Sequence, residues 1–453
     1  MAKKAKKAQT DKGLKLKIVN PNAAGIDIAS GEMQVCVPQD RDGDNNRTFG
    51  SFTNDLKAIC KWLKLCQIDT VAMESTGIYW IPLYFMLQQE GFDVILCDAK
   101  SVKNYSGRKT DESDAEWIML LHSYGLLKAC FQPENTARMM RNLTRHRNNL
   151  LKSCSKETEH MQKSLDQMNI KLCNVISDLL GKSGQSIISA IINGNHDARS
   201  LSTLADSRCK ASPEIIEASL NGTWDEDHLF TLRQSYELYQ YIQEQIKECD
   251  NKIEALMSQY KAAVSTETLV KFIKNNKRIA KKNAISFDVQ TYAFSLWGIN
   301  PLDIPGMSNG AIMQLIGELG HDFTEKFETA TKFCSWCNLV PNNKISGGKL
   351  LSSKVPKHKN HVGQIFRLCA NSLKSEKTTM GFYFRRIQSK SGYLQAIVAT
   401  AHKLAKVFYT MVKNKTSYDE KKVGLDEAEL LKRKIQRTQL MLDRLNRKIN
   451  GAA

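Results

Sequence analysis

No run of about 18 or more apolar residues occurs in the chain, so no segment reads as a membrane-spanning helix. The opening Met1-Ala2-Lys3-Lys4-Ala5-Lys6-Lys7 leads into no apolar stretch, so a secretory signal is not expected. It reads instead as a solvated basic tail, compatible with an arm on nucleic acid. No second cysteine pair with suitable spacing accompanies Cys334-Ser335-Trp336-Cys337, and a zinc site needs four ligands, so this pair is expected to pack in a core. The other cysteines sit in apolar patterns (Cys36, Cys60, Cys97, Cys173), where the reduced thiol acts as a small hydrophobe. No Lys or Arg lies within either of two apolar strand segments that each carry an acid.

Those strands are the most informative feature. Gly25-Ile26-Asp27-Ile28-Ala29-Ser30 is an apolar strand pattern around one carboxylate, and Thr70-Val71-Ala72-Met73-Glu74 ends on another. An isolated carboxylate in an apolar strand costs several kcal/mol or neutralises itself unless a positive group sits beside it. A divalent cation, Mg²⁺ or Mn²⁺, is the economical partner. A third segment, Lys109-Thr110-Asp111-Glu112-Ser113-Asp114-Ala115, places Asp111 and Asp114 three apart at an expected helix start, projecting from one face. Each acid has a plainer reading. Asp111 or Asp114 would cap a helix, and Glu74 would sit at an exposed strand end; Asp27 is hardest to explain that way. Together the four form a set of hard oxygen ligands of the kind used to attack a phosphodiester.

The chain has 453 residues with 42% apolar content, enough for two to four units with real cores. Its net charge of +18 suits a polyanionic partner, and clusters such as Lys277-Arg278 and Lys354-Val355-Pro356-Lys357-His358-Lys359 fit a large nucleic-acid footprint. Residues 22–100 read as three strands, a helix capped by Asn54 or Asp55, and then strand, helix and strand. Hairpin strands followed by strand–helix–strand is the order of an RNase H-like sheet, three antiparallel strands and then parallel ones. Residues 133–172 and 225–262 carry apolar residues at spacings of three and four, the pattern of a coiled-coil or helical-hairpin arm, the first with Arg138, Arg141, Arg145 and Arg147. Ile304-Pro305-Gly306 turns into a helix whose first N–H groups would be free, a phosphate-binding arrangement similar to a helix–hairpin–helix element. From Asp426 to Ile449 the sequence reads as one basic amphipathic helix. The expected organisation is a basic tail at 1–21, a catalytic domain at 22–132, a helical region at 133–285, a mainly α domain at 286–420 and a C-terminal helix at 421–453.

A second candidate centre is Lys344-Ile345-Ser346-Gly347-Gly348-Lys349. Two glycines leave backbone N–H groups open to a phosphate, and Lys344, Lys349 and Lys354 would balance its charge. Ser346 is a nucleophile candidate, although Ser-Gly-Gly is also an ordinary turn; Ser352 and Ser353 are weaker candidates.

Together these segments resemble the DEDD-type transposases and Piv-type DNA invertases, the family of insertion sequence 110. The resemblance rests on Gly25-Ile26-Asp27, Met73-Glu74-Ser75-Thr76-Gly77, Lys109 to Ala115, Ile304-Pro305-Gly306, Phe333 to Pro341 and Ser346 to Lys349. It implies a RuvC-like domain with a metal-binding tetrad of Asp27, Glu74, Asp111 and Asp114, a coiled-coil arm, and a C-terminal transposase domain whose Ser346 bonds transiently to DNA. It also implies donor and target DNA as partners, an element-encoded guide RNA, dimers that assemble into tetramers, and a cytoplasmic, nucleoid-associated place of action. Gly25 to Ser30 also resembles the first phosphate loop of actin-fold kinases, but the acidic, glycine-rich second loop that those need is absent. A RuvC-like nuclease that works through water, without a covalent intermediate, is the principal alternative.

Overall fold

The computed structural model describes residues 17–75, 77–98, 102, 113–259, 272, 284–356, 360–423 and 427–450. The clusters around Lys277 and at 357–359, and the basic stretch 1–16, lie outside the described residues. The chain divides into two compact units, 1–132 and 133–453.

The first unit is built on a five-stranded sheet in the order β3-β2-β1-β4-β5. The strands are β1 (Ala23–Ile28), β2 (Glu32–Cys36), β3 (Asn46–Gly50), β4 (Thr70–Glu74) and β5 (Asp93–Cys97). β1, β2 and β3 pair antiparallel, whereas β4 runs parallel to β1 and β5 parallel to β4. Three antiparallel strands followed by parallel ones is the order read from the sequence. Side chains alternate across the pleat. Ala24, Ile26, Ile28, Val71 and Met73 therefore face helices α1 (Thr53–Leu65) and α2 (Trp80–Gln89) in one core, with Leu63, Leu83 and Leu87 fully buried. Gly25 and Ala72 face the opposite way, towards α3 (Asp114–Ser123), whose Trp117, Ile118 and Leu121 close the second core with Ala72 and Cys97. Helix α1 begins at Thr53, one residue before the expected cap. Asp55 lies inside its first turn, and its carboxylate accepts from the Phe52 N–H at 3.0 Å. An acid in the first turn satisfies a free N–H as well as a cap would.

In the second unit, α4 (Asn135–Gln167) packs along α5 (Glu226–Ser258). Arg147 meets Asp250, Cys154 meets Gln243 and Ser164 meets Thr231, so position rises on one helix as it falls on the other and the pair is antiparallel. Short helices between them bury Ile187, Ile188, Ile191, Leu201 and Leu220 against the far end of the pair. Arg141, Arg145 and Arg147, which help make α4 basic in sequence, are paired internally. Arg147 and Asp250 are both buried, and Arg141 and Arg145 both bind the buried Glu318 carboxylate, at 3.1 and 2.7 Å.

The rest of this unit is mostly helical, with α6 (Val289–Trp297), α7 (Asn309–Leu319), α8 (Ala330–Trp336), α9 (His361–Ser372), α10 (Thr379–Ser391) and α11 (Tyr393–Asn414). Its core is aromatic, with Phe323 stacked on Phe408, and Trp297 edge-on to both. The turn before α7 is used for packing. Ile304 and Met307 are buried, and Gly306, at φ +81°, lies so close to α9 that a Cβ there would come within 2.6 Å of the Cys369 carbonyl oxygen. The Ser308 hydroxyl accepts from the Ala311 N–H at 3.2 Å, so part of the expected anion-binding helix start is already satisfied. The C-terminal helix α12 runs from Glu427 to Asn450 and exposes Leu431, Ile435, Leu442 and Leu445. Cys334 and Cys337 are fully buried; burial pushes the Cys334 thiol up to about 11 and holds the Cys337 thiol well above its ordinary value, the behaviour of core cysteines. No helix among the described residues is long and apolar enough to cross a membrane.

Candidate active site

The ladder between the two central parallel strands aligns Ala23 with Thr70 and Ile26 with Met73. Asp27 and Glu74 are the next residues along the two strands. Because Ile26 and Met73 point into the α1–α2 core, Asp27 and Glu74 point to the other face, the face covered by α3. The two acids therefore stand side by side at the carboxyl ends of β1 and β4, each half-buried. Ligands of open α/β sheets gather at the carboxyl ends of strands.

Helix α3 brings the third acid to the same face. An ideal Cβ on Gly25 would lie 2.3 Å from the Ala115 carbonyl oxygen and 2.2 Å from the Met119 nitrogen, so the first turns of α3 rest directly on β1. The other end of the helix lies over the start of β4, where His122 Nε2 and Thr70 Oγ1 are 2.9 Å apart. The helix thus runs from the Asp27 side of the sheet towards the beginning of β4, and the residue that opens it is Asp114. Ser113 is its N-cap, accepting from the Glu116 N–H at 3.1 Å, and Asn46 Nδ2 of β3 donates to the same hydroxyl at 2.8 Å. Asp114 therefore occupies the positive end of a capped helix, which suits a carboxylate whatever its chemical role. The sequence put the helix start at Asp111; the described helix begins at Asp114, and Asp111 lies outside the described residues.

Among the described residues no group of three or more His, Cys, Asp or Glu side chains is close enough to hold a metal ion. Asp27, Glu74 and Asp114 are nevertheless all carboxylates, hard oxygen donors that suit a hard divalent cation rather than a softer metal. Asp98, one residue past the end of β5, adds an acid to the same edge. Its field is felt at Cys97, whose thiol burial pushes up to about 12, with Cys130, Glu74 and Asp98 adding to the shift. Gly25, Asn46 and Asp98 were not singled out from the sequence. A glycine inside a strand pattern was the available signal for close backbone approach at Gly25; nothing local marks Asn46.

Ser346 belongs to the second unit. It ends β6 (Lys344–Ser346), which pairs with β7 (Lys349–Ser352) across the two-residue turn Gly347-Gly348. Both glycines have positive φ, +53° and +74°, the backbone of a tight hairpin turn that most side chains disfavour. Ser346 is exposed and stands directly opposite Lys349 in the ladder. Ser352 is opposite Lys344 in the same hairpin.

A sheet with acids at the carboxyl ends of its central strands, followed by a mostly helical region, is consistent with a DEDD nuclease-like domain. The DEDD transposase model of IS110 type matches residues 24–170, a span that contains Asp27, Glu74, Asp111 and Asp114. The model of the transposase IS116/IS110/IS902 family matches residues 302–383, which contain Ser346. The chain belongs to this IS110-type family of insertion-sequence transposases, enzymes that act on DNA. No curated protein matches the chain.

Proposed function

We propose that the chain cuts and rejoins DNA for an insertion sequence, using Asp27, Glu74, Asp111 and Asp114 in an RNase H-like, RuvC-type domain and Ser346 as the nucleophile. The observation that supports this best is the adjacency of Asp27 and Glu74 at the ends of neighbouring strands, beneath a helix opened by Asp114. In this reading the four carboxylates hold Mg²⁺ or Mn²⁺, which when bound supplies charge stabilisation at the scissile phosphate. Ser346 forms an Oγ–phosphorus bond as the bond from phosphorus to one sugar oxygen breaks. The hydroxyl proton passes to a base, and the departing sugar oxygen takes up a proton. Lys349, opposite Ser346, balances phosphate charge. Gly347 and Gly348 leave that approach free of side chains. Donor and target DNA, an element-encoded guide RNA, a dimeric or tetrameric assembly and the division at 22–132, 133–285 and 286–420 belong to the same proposal.

The test is strand cleavage and adduct trapping on a nicked DNA substrate. Asp27→Asn should abolish cleavage and leave DNA binding largely intact, and chelator should act as the mutation does. Ser346→Ala should remove a covalent protein–DNA adduct; an adduct that survives in Ser346→Ala places the nucleophile elsewhere, with Ser352 and Ser353 next to test. Cleavage by Asp27→Asn at the wild-type rate would overturn the carboxylate site. The exposed hairpin position of Ser346 also suits an ordinary turn, which favours the second reading, a nuclease that uses water. Cleavage that proceeds without any adduct would select it.

A further inference from the structure

Between Glu328 and Asp419 the chain contains a single acid, Glu376, among many Lys and Arg residues. Charge imbalance on this scale is unusual for a segment that folds into a packed core, because like charges repel in the compact state. Part of the imbalance is structural. The Arg385 guanidinium donates to the carbonyls of Lys374 and Glu376 at 3.1 and 2.8 Å, Arg367 donates to the Asn338 carbonyl at 2.7 Å, and Lys415 to the Trp297 carbonyl at 2.9 Å. Lys413 donates to the Glu328 carbonyl at 2.6 Å. These cations finish loops and helix ends within the fold.

A second group on α10 and α11 serves no such purpose. Arg386 and Lys403 converge on one ring, the guanidinium carbon 5.3 Å and the ammonium 4.4 Å from the centre of Tyr383. Neither has an acidic partner among the described residues, and residues 379–414 contain no Asp or Glu at all. Lys390, one turn beyond Arg386, and Lys406, one turn beyond Lys403, are exposed and extend the same charge along the two helices. Burial first, and then Arg386, hold the Lys403 ammonium below its ordinary value. A ring face offsets about 0.5–1 kcal/mol of such crowding at an exposed site, less than an anion would. The α10–α11 pair is therefore charged in advance of a ligand.

We propose that the outer face of α10 and α11 is a docking surface for the phosphodiester backbone of duplex DNA, with Arg386 and Lys403 gripping adjacent phosphates and Tyr383 fixing both side chains. The proposal rests on the reading of the chain as a DNA transposase and adds where the backbone is held. Unlike the carboxylate site, this surface makes no bond and carries no sequence information; it sets register and affinity.

The experiment measures binding of the full chain to a random-sequence DNA duplex by fluorescence anisotropy over a range of salt. Each phosphate contact contributes about 0.9 to the slope of log affinity against log salt, or about eightfold in affinity at 0.1 M salt. Arg386→Gln and Lys403→Gln should each lower the slope by about that amount and the double variant by about twice it. Arg386→Lys should restore most of the binding, which a purely structural role for the planar guanidinium would not allow. Lys61→Gln, an exposed lysine on α1 in the first unit, should leave the slope unchanged. A double variant that is folded and binds duplex with the wild-type slope overturns the proposal while leaving the transposase reading intact. So does a loss confined to a single-stranded RNA of equal length. A wild-type chain with no salt-dependent affinity for any nucleic acid overturns both.

Discussion

Replacing Gly25 with alanine tests how the first unit brings its acids together. The added Cβ would lie 2.2 Å from the Met119 nitrogen, 2.3 Å from the Ala115 carbonyl oxygen and 2.8 Å from the Met119 Cα. All three are backbone atoms of α3, so no side-chain rotation relieves the clash. Ordinary contact begins near 3.4 Å, so the helix must retreat from β1 by about 1 Å or tilt about its far end, where His122 bonds to Thr70. Forcing one methyl into a packed contact costs about 1–3 kcal/mol. The retreat also moves Asp114 relative to Asp27 and Glu74, and a displacement of about 1 Å at reacting groups lowers rates by about a hundredfold. Gly25→Ala should therefore lower the melting temperature of the first unit by several degrees and reduce cleavage more steeply than its stability loss explains. Gly31→Ala is the matched control, because a Cβ there meets nothing within 4 Å. Thermal melting by circular dichroism and a cleavage assay on the same preparations decide the matter. Wild-type melting and wild-type cleavage in Gly25→Ala would refute the close approach of α3 and the positioning that depends on it.

Two further outcomes follow from buried charge and buried histidine. Glu318→Ala leaves Arg141 and Arg145 facing each other with no carboxylate between them, and should destabilise the second unit by about 3 kcal/mol in denaturant unfolding; Arg145 is half exposed, which keeps the loss towards the lower end for a broken buried pair. An unfolding midpoint within error of wild type would show that the pair contributes little. Burial holds the His122 imidazole below its ordinary value of 6.5, so the unfolded chain takes up a proton there before the folded one does. Its contribution to stability is full above about pH 6.5 and falls as pH drops through the folded value. Melting of the wild type at pH 7.5 and 5.5 should show a drop that shrinks in His122→Gln, and an identical drop in the variant would remove His122 as a cause.

Much of the catalytic half was legible because its chemistry is local. Asp27 and Glu74 stand out in apolar strands since a carboxylate there is costly, and the alternation of side chains sets which face each acid takes. Strand order followed from the succession of hairpin and crossover segments. The helical pair α4–α5 was legible from spacing, and the burial of Cys334 and Cys337 from the lack of further ligands. Less was legible where meaning depends on a distant partner. Arg141, Arg145 and Arg147 read only as part of a basic helix because Glu318 and Asp250, which pair with them, lie far along the chain. The helix expected from Asp111 is described only from Asp114, where the Ser113 hydroxyl caps it.

By itself, then, the sequence determined the elements and the pattern of carboxylates, since backbone propensity, side-chain period and the energy of an isolated charge are properties of a short window. Only the tertiary structure decided that Gly25 seats α3 on β1, that Asn46 steadies the cap before Asp114, that the Pro305-Gly306 turn packs on α9, and that Arg386 and Lys403 share one tyrosine ring. Each of these depends on a contact between different elements of the fold. Its energy depends on distances that no local pattern encodes and that exist only once the cores have closed.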